Sequence, residues 1–366
     1  MRVLITGGGT GGHVYPALAI AEALRKVDPT MDIQFIGARG KLEMEKVPKA
    51  GYKIKGLPIA GIQRRLTWKN LLVPFKIMAS LWASWMFLRK FNPDVAIGVG
   101  GYASGPALRV AAWLGIPYLL QEQNSYPGIT NRLLAKKARW ICIAWPGLSR
   151  FFPGEKLVVT GNPLRSNLIS PATSKDEAKD YFHLSQSRKT ILLLGGSLGA
   201  RSLNEAVIAN FIWWQQKEDI QLLWQCGMIY KEQCFQSATG QLDHVSVHPF
   251  IDRMDMAYAA ADVIIARAGA LTIAELCQLG KPVILVPSPN VAENHQTSNA
   301  KVLAKVNAAL MVPDKHVKTD LFPLVEELLA DPVKMNTLSE KIREFAKPYA
   351  ADEIAQLVCN YKTWNV

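Results

Sequence analysis

Short apolar runs alternate with stretches in which apolar residues return at helical spacing. Val3-Leu4-Ile5 and Ile33-Gln34-Phe35-Ile36 read as strands, and between them Ala17, Leu18, Ile20, Ala21 and Leu24 share one face of a helix predicted over about residues 14–26. These strands are apolar throughout, which implies a parallel sheet covered on both faces. Asp94-Val95-Ala96-Ile97 continues the series, followed by the loop Gly100–Gly105, a helix to Leu114, and a strand after Gly115-Ile116-Pro117. The second half repeats this grammar. Thr190–Leu194 reads as a strand, Leu203, Val207, Ile208 and Phe211 as a helix face, and Asp262–Ile265 as a strand leading to Arg267-Ala268-Gly269-Ala270 and a helix through Leu279. Leu114-Gly115-Ile116-Pro117 and Leu279-Gly280-Lys281-Pro282 match, each with glycine closing a helix and proline entering the next strand.

The pattern therefore predicts an α/β chain of two Rossmann-like, doubly wound parallel-sheet domains, residues 1–162 and 163–345. The cut falls where Gly161-Asn162-Pro163-Leu164-Arg165 ends the strand Leu157–Val159 and the polar stretch Ser166–Asp180 shows no strong period. Residues 346–366 are helical in pattern beyond Pro348 and are expected to pack back on the first domain.

Two glycine turns each leave a strand and open a helix: Gly7-Gly8-Gly9-Thr10-Gly11-Gly12-His13 and Gly195-Gly196-Ser197-Leu198-Gly199. Loops at the carboxyl ends of parallel strands surround anionic oxygens with backbone N–H groups and helix N-termini. Gly7, Gly9 and Gly12 also fit the G-x-G-x-x-G dinucleotide fingerprint. A nicotinamide cofactor would want an acid after the second strand, yet Ile36 is followed by Gly37-Ala38-Arg39. NADP stays open, with Arg39 on a 2′-phosphate. His13 at a strand's carboxyl end suits a general base, because an imidazole near its usual pKa of about 6.5 takes a hydroxyl proton at neutral pH. Glu275, early in a helix, suits either a favourable dipole charge or an acceptor for two vicinal sugar hydroxyls. Gln121-Glu122-Gln123-Asn124 is polar at a strand end, as a hydroxyl-rich ligand requires.

Lys and Arg outnumber Asp and Glu by 42 to 30 in 366 residues, a net charge of +12 that favours an anionic partner. No basic run or nucleic-acid motif accompanies it, so a nucleotide, a lipid phosphate or an anionic membrane surface is expected rather than nucleic acid. Cys142, Cys226, Cys234, Cys277 and Cys359 form no C-x-x-C pair, consistent with a reduced, cytosolic chain and no structural metal. Met1–Ile5 is expected to pass straight into a strand, and no signal peptide is expected. Trp68–Phe91 holds an uncharged run, Ile77–Leu88, too short for the roughly 20 residues of a membrane span. Flanked by Lys69, Lys76, Arg89 and Lys90 beside Trp82, Trp85 and Phe87, it reads either as a helix lying at a membrane interface or as a buried core helix.

The motifs GGGTGGHVYPALAIAEAL at the start, GGYASGP at 100–106, QEQN at 121–124, GNPLR at 161–165, GGSLGAR at 195–201, RAGALTIAEL at 267–276 and HQTSNA at 295–300 stand in an order similar to one family. The chain resembles the bacterial peptidoglycan N-acetylglucosaminyltransferases of glycosyltransferase family 28 over residues 1 to about 310. The resemblance implies a GT-B fold, two Rossmann-like domains facing across a cleft, without a tightly bound cofactor. It implies inverting transfer of N-acetylglucosamine from UDP-N-acetylglucosamine to the C4 hydroxyl of undecaprenyl-diphosphate-linked N-acetylmuramoyl-pentapeptide. The setting it implies is peripheral, at the cytoplasmic face of the bacterial inner membrane.

By motif, Thr10, Gly11 and Gly12 match the loop that meets donor sugar and acceptor diphosphate, Asn124 and Gln296 match contacts to the sugar, and His13 matches the general base. Arg165, Ser197 and Ile251 match the UDP site, and Ala270, Leu271, Thr272 and Glu275 match the helix start that holds the diphosphate and ribose. Tyr102 and Ser104, with Lys76, Trp82, Trp85 and Arg89, are expected toward the acceptor and the membrane. Two positions depart from the family pattern: Leu198 stands where glutamine is usual, and Gln121 where histidine is usual. Asp252-Arg253-Met254-Asp255 lacks D-x-D spacing, so no metal is expected. A non-catalytic nucleotide-sugar-binding protein and a UDP-sugar epimerase remain alternatives on the same architecture.

Overall fold

The computed structural model describes residues 1–59, 73–164, 173–196, 198–291 and 294–365. Two compact units divide the chain, one of residues 1–165 with 347–366 and one of residues 166–346. In the first, seven parallel strands run in the order β3-β2-β1-β4-β5-β6-β7: β1 Arg2–Thr6, β2 Asp32–Ala38, β3 Lys53–Leu57, β4 Val95–Gly98, β5 Tyr118–Glu122, β6 Trp140–Ile143 and β7 Leu157–Val159. In the second, six run in the order β10-β9-β8-β11-β12-β13: β8 Lys189–Leu194, β9 Ile220–Gln225, β10 Val245–His248, β11 Val263–Ala266, β12 Val283–Leu285 and β13 Leu310–Met311. Both sheets are doubly wound. Each builds outward one way from its first strand and then the other way, so the order reverses between β1 and β4 and between β8 and β11.

The strands lack polar alternation because helices cover both faces. In the first unit Val3, Ile5, Ile33, Phe35 and Ile97 pack with Ile20 and Leu24 of α1 (Gly11–Val27) and with Ile354 and Val358 of the C-terminal helix Ala350–Cys359. Leu4, Ile36, Ala96 and Leu120 point to the opposite face and pack with Leu108 and Ala111. In the second unit Ile191, Leu193, Leu222, Trp224 and Ile265 pack with Leu203 and Val207. Each such fully buried Leu or Ile contributes on the order of 1.5–3 kcal/mol, so both sheets hold by two-sided burial. Gly115 and Gly280 close their helices in the left-handed region, at φ 72° and 61°.

The helices that matter to the site are, in chain order, α2 Glu43–Lys49, α3 Val73–Phe91, α4 Ser104–Trp113, α5 Ile129–Leu134, α6 Lys175–Tyr181, α7 Arg201–Ala209, α8 Met254–Ala260, α9 Ala270–Leu279 and α10 His295–Ala304. Within the aperiodic polar stretch the chain forms α6, capped by Ser174, whose Oγ accepts from Glu177 N at 3.1 Å. One or two turns are too short for periodicity to show.

The core-helix reading of the Trp68–Phe91 segment is corrected by α3; Trp68–Leu72 lie outside the described residues. Ser80, Ser84, Leu88 and Phe91 are its buried positions. Phe75, Met78, Trp82 and Met86 are 73%, 67%, 63% and 55% exposed, so Ser80 and Ser84 lie on the buried face with Leu88 and Phe91 while these four large apolar side chains face out. Trp82 stacks on Trp85 at 5.2 Å between ring centroids, with the Arg89 guanidinium 5.7 Å from the Trp85 ring. Among the described residues no helix is long and apolar enough to cross a membrane.

His248, at the end of β10, has its ring edge-on to Phe182 at 5.4 Å and its Nε2 2.9 Å from Ser246 Oγ. Burial holds its pKa below the ordinary 6.5, so the folded chain disfavours the imidazolium and the unfolded chain binds more protons as pH falls through that range. The melting-temperature difference between the wild type and His248→Gln should be constant above about pH 6.5 and shrink as pH falls below it. A difference independent of pH would contradict this.

Candidate functional site

The two reversals of strand order place the glycine motifs. The loops after β1 and β4 are neighbours because those strands pair, Ile5 beside Ile97 and Thr6 beside Gly98. In the second unit β8 pairs with β11, Leu193 beside Ile265, which joins Gly195–Gly199 to the Arg267–Ala270 turn. Ligands of open parallel sheets sit at this kind of place, outside the carboxyl ends of the strands.

In the first unit the loop after β1 and the loop after β4 meet backbone to backbone. Gly101, at φ 80°, would place a Cβ 2.2 Å from Gly8 O, so only glycine permits the approach. Thr10 is the N-cap residue of α1, and its Oγ1 lies 3.2 Å from His13 Nδ1 instead of capping a backbone N–H. The other edge of the His13 ring faces Gly100, whose missing Cβ leaves space for it. Thr10 and Gly12 are exposed, and Gly11 and His13 partly so. The Tyr102 ring lies over Gly9; burial first, and then the Glu43 carboxylate, push its phenol pKa up, so it remains a hydrogen-bond donor. Ser104 is fully buried with its hydroxyl 3.0 Å from Thr6 O and 2.9 Å from Gly100 O, which ties β1 to the neighbouring loop.

The polar run at the end of β5 divides into buried struts and one partly exposed group. Gln121 Nε2 donates to Asn162 Oδ1 at 3.1 Å, and Asn162 Nδ2 donates to Gln123 O at 3.1 Å. Glu122 is 2% exposed and accepts from Asn124 N at 3.1 Å, Gly128 N at 3.2 Å and Asn131 Nδ2 at 2.9 Å. Desolvation pushes its pKa up against those bonds, which pull it down. The turn that presents Asn124 is thus folded around a buried carboxyl. Gln121, where histidine is usual, is a structural amide here.

In the second unit α9 starts immediately after β11, with Gly269 as N-cap and Ala270, Leu271 and Thr272 in its partly exposed first turn. Glu275 Oε2 accepts from Tyr258 Oη, on α8, at 2.7 Å. Gln296 Oε1 accepts from Ser288 N at 2.8 Å, which ties α10 to the loop after β12. Ile251 is only 4% exposed while Phe250 is 50% exposed, so this segment offers a ligand its backbone and the Phe250 ring. Arg165 and Ser197 lie outside the described residues. Leu198 is 71% exposed at the tip of its loop.

Three side chains here, Tyr258, Glu43 and Asp314, carried no signal in the sequence, whereas Arg267 opens the RAGALTIAEL motif. Each of the three is a single polar residue in a helix or turn. Arg267 Nη1 lies 2.5 Å from Asp314 Oδ1, with Nη2 2.7 Å from Ser202 Oγ, and so braces the turn before α9 against α7. Only the tertiary structure shows Glu43 and Tyr258 buried, and Arg267 with Asp314 partly so. A cavity of 660 Å³ lies elsewhere, at the amino ends of β1 and β2 beneath α3, lined by Arg2, Asp32, Trp82 and Phe87. It contains none of the strand-end loops. Among the described residues no cluster of three His, Cys, Asp or Glu side chains is placed to hold a metal ion.

The N-terminal-domain model of glycosyltransferase family 28 matches residues 3–143, and its C-terminal-domain model matches residues 190–354. The chain belongs to glycosyltransferase family 28. Its relatives include proteins named UDP-N-acetylglucosamine--N-acetylmuramyl-(pentapeptide) pyrophosphoryl-undecaprenol N-acetylglucosamine transferase. The one from Bacteroides fragilis is 49% identical, covering 98% of this chain and 95% of the relative. The one from Flavobacterium psychrophilum is 49% identical over 99% of both chains. The crystal structure of Acinetobacter baumannii MurG superposes with a TM-score of 0.78 at 29% identity, covering 98% of this chain and 99% of that one. A UDP-GlcNAc 2-epimerase from Neisseria meningitidis, solved bound to UDP-GlcNAc, reaches 0.71 at 15% identity, covering 98% and 100%, a likeness of fold alone. The family 28 chain is thus a glycosyltransferase with the GT-B architecture of two parallel-sheet domains.

Gly199 of this family 28 chain, at φ 79°, would set a Cβ 2.2 Å from Cys226 O, whereas Gly196, at φ 81°, has open space around it. Gly196→Ala should cost only the left-handed conformation, about 1–2 kcal/mol. Gly199→Ala adds a backbone clash and should cost about 3 kcal/mol or more in denaturant unfolding. Equal losses would show that the second loop yields at no extra cost.

Proposed function

We propose that this chain transfers N-acetylglucosamine from UDP-N-acetylglucosamine to the C4 hydroxyl of undecaprenyl-diphosphate-linked N-acetylmuramoyl-pentapeptide, with inversion at the anomeric carbon. The observation that carries this is 49% identity over nearly the full length of transferases so named, with the family motifs standing at both points of strand reversal.

In this reading the second unit holds UDP. The start of α9 offers backbone N–H groups and a positive helix end to the diphosphate, which gains charge as it leaves. Ser197 and its loop supply further N–H donors, Arg165 and the Phe250–Ile251 segment border the nucleotide, and Asn124 and Gln296 contact the sugar. Glu275 accepts from the two ribose hydroxyls, its carboxylate oriented by Tyr258. The first unit brings the acceptor, with Thr10, Gly11 and Gly12 toward the diphosphates and Tyr102 donating from its raised-pKa phenol.

His13 is the base in this reading. Its Nδ1 lies 3.2 Å from Thr10 Oγ1, which holds the ring at the start of α1, and the imidazole takes up the C4 hydroxyl proton. His13→Ala should lower kcat by about 10²–10⁴, measured as acceptor-dependent UDP release, with UDP affinity retained. Near-normal turnover in that variant would remove His13 from proton transfer.

α3 supplies a membrane-facing surface at the cytoplasmic leaflet. Exposed Phe75, Met78, Trp82, Trp85 and Met86 provide the apolar area, and Lys76, Arg89 and Lys90 provide charge for anionic headgroups. A basic residue near such a surface contributes about 1 kcal/mol, so Lys76→Glu with Arg89→Glu should weaken binding to anionic vesicles at least about tenfold. The KM for UDP-N-acetylglucosamine measured with a short-chain soluble acceptor should stay unchanged. Vesicle binding indifferent to both changes and to salt would contradict the assignment.

A further inference from the structure

We propose that Glu43 is a positioning residue that gives the first glycine loop its own internal anion. Glu43 opens α2, a place where an acid ordinarily sits exposed beside the helix dipole, yet it is 1% exposed. Its two carboxylate oxygens lie 3.1 and 3.0 Å from Gly9 N, and Oε1 also accepts from Ala38 N at 2.9 Å. Two glycines make the space. A Cβ on Gly8 would fall 2.1 Å from Glu43 Oε1, and one on Gly37 would fall 2.5 Å from its Cγ. Gly8 is thus explained by the side chain behind the loop rather than by a ligand in front of it.

Gly9 is the second glycine of the G-x-G-x-x-G match, the position where a dinucleotide's pyrophosphate approaches the backbone. Here that N–H is directed to Glu43, and a buried negative charge stands behind it. A phosphate at Gly8 or Gly9 would meet a like charge and a donor already engaged. The loop therefore offers an anion only its outer part, from Thr10 to His13. The carboxylate also fixes the loop between the end of β2 on one side and the Gly100–Gly101 backbone on the other, which sets where Thr10 and His13 stand. Arg39, the residue that would recognise a 2′-phosphate, instead donates from Nε to Gly56 O at 3.1 Å.

The loop-fixing claim stands by itself; its consequence for the acceptor rests on the function proposed above. The test uses the full chain with Glu43→Ala and Glu43→Gln, followed by hydrogen exchange in the peptide spanning residues 7–14, melting temperature, UDP affinity and acceptor kinetics. Glu43→Ala leaves a hole the size of acetate. The expected result is exchange in that peptide faster by about tenfold or more with other peptides unchanged, reversed by acetate and not by acetamide. Glu43→Gln, which keeps the volume but replaces one acceptor with a donor, should fall between the two. The acceptor kcat/KM should drop with the loop and return with acetate, while UDP affinity stays at the wild-type value. Unchanged loop exchange in both variants would overturn the proposal. So would a loss spread over all peptides and indifferent to acetate, which is what a purely structural role predicts. Loop exchange that responds as stated in a chain with no acceptor-dependent turnover would keep the positioning claim and reject the functional reading.

Discussion

Everything at the candidate site depends on one backbone constraint: in each unit, two loops must leave adjacent parallel strands and pass each other without side chains between them. At the first reversal Gly101 lies against Gly8 O, and in the second unit Gly199 lies against Cys226 O, each closer than any Cβ would allow. Helices then begin within a few residues, at Gly11 and Ala270, so the positive end of each stands at the strand ends. The same constraint produces both the packing and the chemistry. Removing side chains lets the loops close on one another, and it leaves uncovered N–H groups as the local electrostatic feature.

The fold is shared by enzymes of different activity, since an epimerase superposes at 15% identity. What distinguishes this chain lies in the side chains around the loops. Thr10 and His13 form a pair at the start of α1, and Glu43 fills the loop from behind. Glu122 folds the turn that carries Asn124, and Tyr258 holds one oxygen of Glu275. Of these, Glu43, Glu122 and the Tyr258 phenol act on backbone or on another side chain, so apart from Glu275 the surface offered to ligands consists largely of amides and helix ends. A diphosphate is the kind of group such a surface suits.

The fold was legible from the sequence because its signals were redundant. Strands without polar alternation implied two covered faces, and Leu4 and Ile5 do point to opposite cores. The glycine turns were legible as strand-end loops because each follows an apolar run directly. The α3 segment was not decided by composition, since a Trp-rich helix is ordinarily core; it is Ser80 and Ser84 that occupy the buried face, which leaves Trp82 and Met86 outward. Short α6 left no period to read. Glu43 was invisible for a different reason. An acid in a first helical turn is the commonest of surface residues, and only the missing Cβ atoms of Gly8 and Gly37 show that the fold reserves a buried place for it.

The central claim is sugar transfer at these strand-end loops rather than turnover of the nucleotide sugar alone, and the product separates the two. The decisive measurement is NMR of the product formed from UDP-N-acetylglucosamine with and without an undecaprenyl-diphosphate-linked N-acetylmuramoyl-pentapeptide analogue. The account predicts UDP release only when the acceptor is present, with a β-linked N-acetylglucosamine on its C4 oxygen. A C2-epimerised sugar, or UDP released without acceptor, would contradict it.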